Sequence, residues 1–195
     1  KNRHRQYIRK ELEISENSVL ILFVGSGFER KGLKPLLQAT QFLRSEDWRL
    51  VIIGKGKWDQ YLQFAPENLR DRIIYKEPVP EIEKYYSAAD IFALPSIYEP
   101  FGNANLEALA SGLPVITTRH CGAADIIQHK LNGLIVENSE SPKEIADNIN
   151  TLFDPTLRES MSQNARGLAE QFSVGKNTQE MLKTYLEIIS VQKNK

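Results

Sequence analysis

Six short apolar runs rich in β-branched residues recur along the chain, at 18–24 (SVLILFV), 48–53 (WRLVII), 72–75 (RIIY), 90–94 (DIFAL), 114–118 (PVITT) and 133–137 (GLIVE). These runs are apolar at successive positions, so each must be covered on both faces. Between them lie segments of helical period at 33–44, 57–64, 80–88, 104–111 and 123–128. Parallel strands need a crossover between them, and a helix supplies it. The alternation therefore predicts an α/β fold: a doubly wound, Rossmann-like parallel sheet of about six strands with helices on both faces. Beyond the last run the pattern turns wholly helical, at 142–152, 156–171 and 176–190, with Asp154-Pro155 and Ser173 to Gly175 as breaks. This divides the chain into a lead-in helix at 1–16, one domain at 17–172 and a C-terminal helix at 173–195.

With 195 residues the chain can bury the core of one such domain. The 25 Lys plus Arg balance the 25 Asp plus Glu, so no global charge points to nucleic acid. Cys121 is the only cysteine and cannot form an internal disulfide, and no apolar run approaches the roughly 18 residues of a membrane helix. A reducing, cytoplasmic setting is the expectation. The chain opens on KNRHRQYIRK, with neither a starting Met nor a signal peptide, and so reads as a piece of a longer protein. Lys1, Arg3, Arg5, Arg9 and Lys10 of that stretch lack a broad apolar face. The reading favours an interdomain linker helix, with peripheral contact to an anionic membrane surface as the alternative.

In a doubly wound sheet the ligand lies outside the carboxyl ends of the strands, among the βα loops. The first loop, VGSGFERKGLKPL, fails both familiar phosphate fingerprints: Arg30 stands where the dinucleotide pattern needs Gly or Ala, and Leu33-Lys34 follow Gly32 where a P-loop needs Lys-Ser/Thr. What remains is a turn containing Gly25 and Gly27, with Arg30 and Lys31 before a helix. It reads either as a diphosphate cradle or as a solvated turn with an exposed basic pair. Gly54 and Gly56 in the second loop, IIGKGKW, allow backbone to approach something flat or bulky, or simply make a tight turn. Tyr85 and Tyr86, in the helix after the third loop, read as packing residues.

The fourth loop carries the chemistry, in PSIYEPFGNANLEALASGLPVI. Glu99 follows the strand end; Gly102 permits an unusual backbone angle; Asn103 is the expected N-cap of a helix from about Ala104, and Glu107 lies one turn into it. Carboxylates at such a position accept paired hydrogen bonds from vicinal hydroxyls, as acidic residues do with ribose in dinucleotide folds. Backbone N–H groups near Phe101 to Asn105 suit phosphate or sugar oxygens. The bland alternative has Glu107 complementing the helix dipole and Glu99 on the surface.

The segment PSIYEPFGNANLEALASGLPVITTRHCGAADII resembles the E-x₇-E signature of the group 1 retaining glycosyltransferases, two-domain enzymes of the GT-B fold. FVGSGFERKG, YYSAADIFALPS and LNGLIV resemble further blocks of that family in the expected order, and the GSGFERKG spacing and TTRHCG turn are most similar to its lipopolysaccharide-core glucosyltransferases. The resemblance covers roughly 18–170 and implies the C-terminal, donor-binding half of such an enzyme. It implies that Glu99, Arg30 and Lys31 form the catalytic end: Glu99 contacts hydroxyls of the donor sugar, and the two cations neutralise the diphosphate. It implies further that Glu107 holds the nucleotide ribose, while Phe101, Gly102, Asn103 and Ala104 offer main-chain contacts. The implied donor is a nucleoside diphosphate sugar, UDP-glucose or a similar hexose. The implied partners are a missing N-terminal acceptor domain and a glycan or lipid-linked, lipopolysaccharide-type acceptor. Ser26, where many relatives have Arg, shifts phosphate work onto Arg30 and Lys31; Cys121 and Asp125 also depart from the common pattern.

No Asp-x-Asp triplet and no His/Cys cluster of metal-ligand spacing occurs, so neither a metal nor a cofactor is expected beyond the donor itself. His4, His120 and His129 are scattered, and Cys121 has no evident activating base beside it. Two other classes share the cradle: a non-catalytic nucleotide-sugar binding module, and a GT-B nucleotide-sugar 2-epimerase, which lacks this E-x₇-E arrangement. In the glycosyltransferase reading the isolated piece is expected to bind donor weakly and transfer nothing, because the acceptor side of the cleft is supplied elsewhere.

Overall fold

The computed structural model describes residues 2–193. All six runs form strands: β1 (Val19–Val24), β2 (Trp48–Ile53), β3 (Ile73–Lys76), β4 (Ile91–Leu94), β5 (Val115–Thr118) and β6 (Gly133–Val136). They make one parallel sheet in the order β3-β2-β1-β4-β5-β6, with Leu22 beside both Val51 and Phe92, and Ile116 beside both Ala93 and Leu134. Leu22, Phe23, Val51, Ile52, Phe92, Ala93, Val115 and Ile116 are fully buried. Each large apolar side chain among them contributes roughly 1.5–3 kcal/mol relative to exposure, which is why the runs must lie between two helical layers.

The helices are α1 (Asn2–Glu11), α2 (Leu33–Ala39), α3 (Trp58–Leu62), α4 (Ile82–Ala88), α5 (Asn103–Ala110), α6 (Pro142–Thr151), α7 (Pro155–Ala169) and α8 (Val174–Lys193). Right-handed crossovers place α2 and α3 on one face and α4 and α5 on the other. The last helices complete the layers: α6 packs on α2, and α7 on α5. Local chemistry sets their starts. Ser141 accepts the Glu144 amide at 3.3 Å, Asp154 accepts the Thr156 and Leu157 amides at 2.8 and 3.2 Å, and proline occupies the first helical position in both cases.

Two expected helices differ. The 33–44 segment ends its α-helix at Ala39 and continues as a 3₁₀ turn, Thr40–Phe42, and Glu67–Arg72 forms a further 3₁₀ stretch that the periodicity did not show. The segment expected as a helix at 123–128 is only the 3₁₀ turn Gly122–Asp125. Its first amides bind elsewhere, Gly122 to the Glu99 carbonyl at 2.9 Å and Ala123 to the Phe101 carbonyl at 2.9 Å. Those bonds stitch the turn to the loop after β4, and Asn132 Oδ1 accepts the Gln128 amide, which a longer helix would use, at 3.0 Å.

The lead-in helix α1 packs on α4, with Ile8 and Arg9 buried. Arg9 donates to the carbonyls of Ala88 (3.1 Å), Ser15 (2.6 Å) and Ser18 (3.0 Å) and to Asp90 Oδ2 at 2.5 Å, and burial lowers its pKa. Asp90 also accepts the Leu20 amide at 2.8 Å, so one carboxylate ties α1 to the starts of β1 and β4. Arg5, at 3.0 Å from Asp90, turns the same way. Two of the five cations read as a basic face are thus engaged inside the fold, and Lys1 lies outside the described residues. At the other end, α8 exposes every described side chain from Val174 to Ile189, including Leu182, Tyr185 and Leu186.

Candidate functional site

The sheet order reverses between β1 and β4, where successive crossovers leave in opposite directions and open a crevice. The loops after those two strands, far apart in sequence, meet there. The Ile97 amide donates to the Arg30 carbonyl at 2.9 Å, and Arg30 Nη1 donates to the Tyr98 carbonyl at 3.2 Å and to Glu99 Oε2 at 2.6 Å. Lys31 Nζ forms a short ion pair with the same carboxylate oxygen. Arg30 is half exposed, whereas the Lys31 and Glu99 side chains retain only 11% and 12% of their exposure. Burial pushes the Glu99 carboxyl up, but Lys31 and then Arg30 outweigh it and hold the group below the usual carboxylate range. The Glu99 main chain is pinned too: its amide donates to the His120 carbonyl at 3.2 Å and its carbonyl accepts the Gly122 amide.

The glycines serve this junction in different ways. Gly102 has φ +82° and caps α5, so the helix begins at Asn103; Asn103 is not the N-cap, and no side chain caps this end. A Cβ at Gly102 would stand 2.8 Å from Asn105 Nδ2 and 3.0 Å from Glu99 Cγ. The Lys31 stem passes 3.3 Å from where a Cβ on Gly25 would lie. Gly54 and Gly56 are required by neighbouring protein, since a Cβ there would meet the Gly25 carbonyl at 2.1 Å and the Phe28 ring at 2.4 Å. Gly27, with Gly56 and Arg30, lines a shallow cleft of about 600 Å³.

Glu107 lies on the exposed side of α5, and with Phe101 and Asn103 it edges a hollow of about 920 Å³ between α5, the end of α7 and the start of α8. Its Oε2 accepts the Tyr86 hydroxyl at 2.9 Å. Tyr86 is buried, and burial, followed by the Glu107 charge, raises its pKa strongly, so the phenol remains a donor. This residue, read from sequence as packing, orients a candidate site carboxylate. No local pattern reveals it, because α4 and α5 meet only in the folded sheet. Ala104 is half buried in the first turn of α5. The Asn105 amide is engaged by the Gly102 carbonyl at 2.8 Å, which removes it from the expected set of open amides.

Cys121 is a second participant beyond the turn role read for it. Its buried Sγ accepts from Asn105 Nδ2 and donates to the Phe101 carbonyl, each at 3.2 Å, bracing the loop that carries Phe101 and Gly102. His129 accepts the Ile135 amide through Nδ1 at 3.0 Å. Among the described residues no group of three His, Cys, Asp or Glu is placed to hold a metal ion, and no helix is long and apolar enough to cross a membrane.

Comparison with known proteins identifies the family and the fold. Residues 4–168 match the model of the glycosyl transferases group 1 family. The chain is 32% identical over 191 residues to the uncharacterized glycosyltransferase MJ1607 of Methanocaldococcus jannaschii, covering 93% of this chain and 49% of that one. Its fold superposes with a TM-score of 0.79 on WaaG, a glycosyltransferase involved in lipopolysaccharide biosynthesis, at 28% identity over 86% of this chain and 46% of WaaG. The fold is shared also with Anabaena HepE in complex with UDP-glucose, at a TM-score of 0.85 and 23% identity over 96% of this chain and 53% of HepE. The chain spans about half the length of the curated relatives it matches. It belongs to the group 1 glycosyl transferases, with the sheet and helices of one half of a GT-B fold.

Proposed function

We propose that this chain is the donor-binding half of a retaining glycosyltransferase that moves a hexose from a nucleoside diphosphate sugar, UDP-glucose or a close relative, to a glycan or lipopolysaccharide-type acceptor. One observation carries the reading: Arg30, Lys31 and Glu99 converge at the β1/β4 switch point, with Glu107 on the helix that leaves it. Support comes from the UDP-glucose bound by HepE and from the lipopolysaccharide role of WaaG.

In this reading Glu107, steadied by Tyr86, accepts the ribose hydroxyls, and Arg30 and Lys31 face the diphosphate. As the bond from the anomeric carbon to the diphosphate oxygen breaks, its electron pair leaves with the diphosphate, and the two cations lower the energy of that growing charge. Glu99 accepts hydroxyls of the donor sugar. The oxygen of the acceptor hydroxyl then bonds to the anomeric carbon and its proton passes to the departing diphosphate, within a cleft closed by the other domain of a full-length protein. The proposed setting is the cytoplasm, with the full-length protein peripheral on the membrane where its acceptor is lipid-linked.

Calorimetric titration of this chain with uridine, guanosine and adenosine diphosphates and their glucose conjugates tests the reading. One diphosphate series is expected to bind weakly, with no multiple turnover onto acceptor by this chain alone. Absence of binding by all three series would overturn the donor-site assignment.

A further inference from the structure

We propose that Glu99 is a built-in competitor for the donor's diphosphate, making the site hold a nucleoside diphosphate more tightly with its sugar than without it. This rests on the donor-site reading above.

Both cations of the β1–α2 loop are engaged by one carboxylate oxygen of Glu99. They are therefore not waiting free for phosphate. An arriving diphosphate must take Arg30 and Lys31 from Glu99, and the exchange replaces one set of charge-assisted hydrogen bonds with another. The gain from the phosphate is offset by what Glu99 loses. That loss cannot be relieved by swinging the carboxylate into bulk water, because the residue is largely enclosed. Its backbone is tied on both sides to the 120–122 turn, and Gly102 lies against its Cγ. A carboxylate left there without donors is costly.

The donor sugar removes that cost and the free diphosphate does not. Hexose hydroxyls donate to Glu99 at the moment its cations turn to the phosphates, so the complete donor satisfies both sides of the exchange. Once the sugar has been transferred, the remaining nucleoside diphosphate has no hydroxyls at that position. Glu99 then reclaims Arg30 and Lys31, and the product is displaced by a group already in the site. The same ion cluster thus favours donor capture and product release, without a moving lid.

The test compares wild type with Glu99→Gln, which keeps size and hydrogen bonding but removes the charge. The probes are inorganic pyrophosphate, uridine diphosphate and UDP-glucose, with guanosine and adenosine diphosphates and their glucose conjugates run alongside. Wild type is expected to bind the sugar conjugate more tightly than the bare diphosphate. Glu99→Gln is expected to bind pyrophosphate and the bare diphosphate about tenfold more tightly than wild type, the scale of one charge-assisted hydrogen bond, and to lose the preference for the sugar conjugate. Glu99→Ala carries the same expectation for pyrophosphate, so a thermal melt showing that either variant is folded suffices for a decision. A folded variant that binds pyrophosphate and the diphosphate no more tightly than wild type overturns the competitor role while leaving the donor site standing. Wild type that binds none of the diphosphates or their conjugates overturns both.

Discussion

At the proposed phosphate end of the crevice Glu99 takes Arg30 and Lys31 together and is laced through its backbone to the 120–122 turn, whereas at the proposed ribose end Glu107 is held by one phenol, Tyr86, from an adjoining helix. The Arg30–Lys31–Glu99 cluster keeps one net positive charge and, in the proposal above, trades partners as it binds an anion. The ribose end is already set: the Tyr86 hydroxyl fixes one oxygen of an otherwise exposed carboxylate, and its raised pKa keeps it a donor at physiological pH. Two glutamates eight positions apart in one motif are therefore prepared in opposite ways, one by opposite charge and one by a neutral hydrogen bond.

The largest expected effect comes from breaking the joint between the two loops at the phosphate end. Gly32 has φ +72°, and a Cβ there would lie 1.9 Å from the Pro95 carbonyl oxygen, so Gly32→Ala forces backbone of the first or fourth loop to move. A loss of about 4 kcal/mol or more in urea unfolding is expected, combining backbone strain with overlap. Stability within about 0.5 kcal/mol of wild type would mean that the loops are not locked together.

Replacing Arg30 and Lys31 together with Ala comes next. Diphosphate binding is expected to weaken by roughly 3 kcal/mol while nucleoside binding is nearly unchanged, since the change removes charge-assisted donors to phosphate only. Equal losses for nucleoside and nucleoside diphosphate would erase the distinction between the two ends. Glu107→Ala reverses the comparison: about 2 kcal/mol is expected to be lost for nucleoside and diphosphate alike, with pyrophosphate unaffected. Titration with the three ligands separates these patterns.

The smallest effect is expected from Tyr86→Phe, which leaves the ring in place and removes the hydroxyl that orients Glu107. Nucleoside affinity should fall by about 1 kcal/mol, and the change should have little effect in a Glu107→Ala background. Full additivity in that double-mutant cycle would show that the phenol acts on nucleoside binding independently of Glu107.

The flanking helices show the limits of local patterns. Both α1 and α8 are recognisable as helices from sequence, yet α1 buries Ile8 and Arg9 against the domain while α8 leaves its described large apolar side chains exposed. The lead-in reads as a basic helix without an apolar face, and its period carries no sign that Arg9 turns inward. The reason is Asp90, 81 positions away, whose carboxylate gathers Arg9, Arg5 and the Leu20 amide. Similarly, 123–128 reads as helical, but the Asn132 side chain takes the Gln128 amide and the segment keeps only a 3₁₀ turn.

Strand positions and the parallel α/β class followed from sequence alone, as did the choice of the first and fourth βα loops as candidates, because burial on both faces, helical period and turn residues are written in near neighbours. The pairings that give those loops meaning did not. Arg30 and Glu99 are joined across 69 positions, and Tyr86 and Glu107 across 21. The first pair exists because the sheet order sets β4 against β1 and brings the loops at their carboxyl ends within reach of a side chain, and the second because α4 and α5, which precede and follow β4, lie on one face of the sheet. Strand order is chosen by which apolar faces pack together over the whole domain, a property of the assembled core that no window of sequence contains.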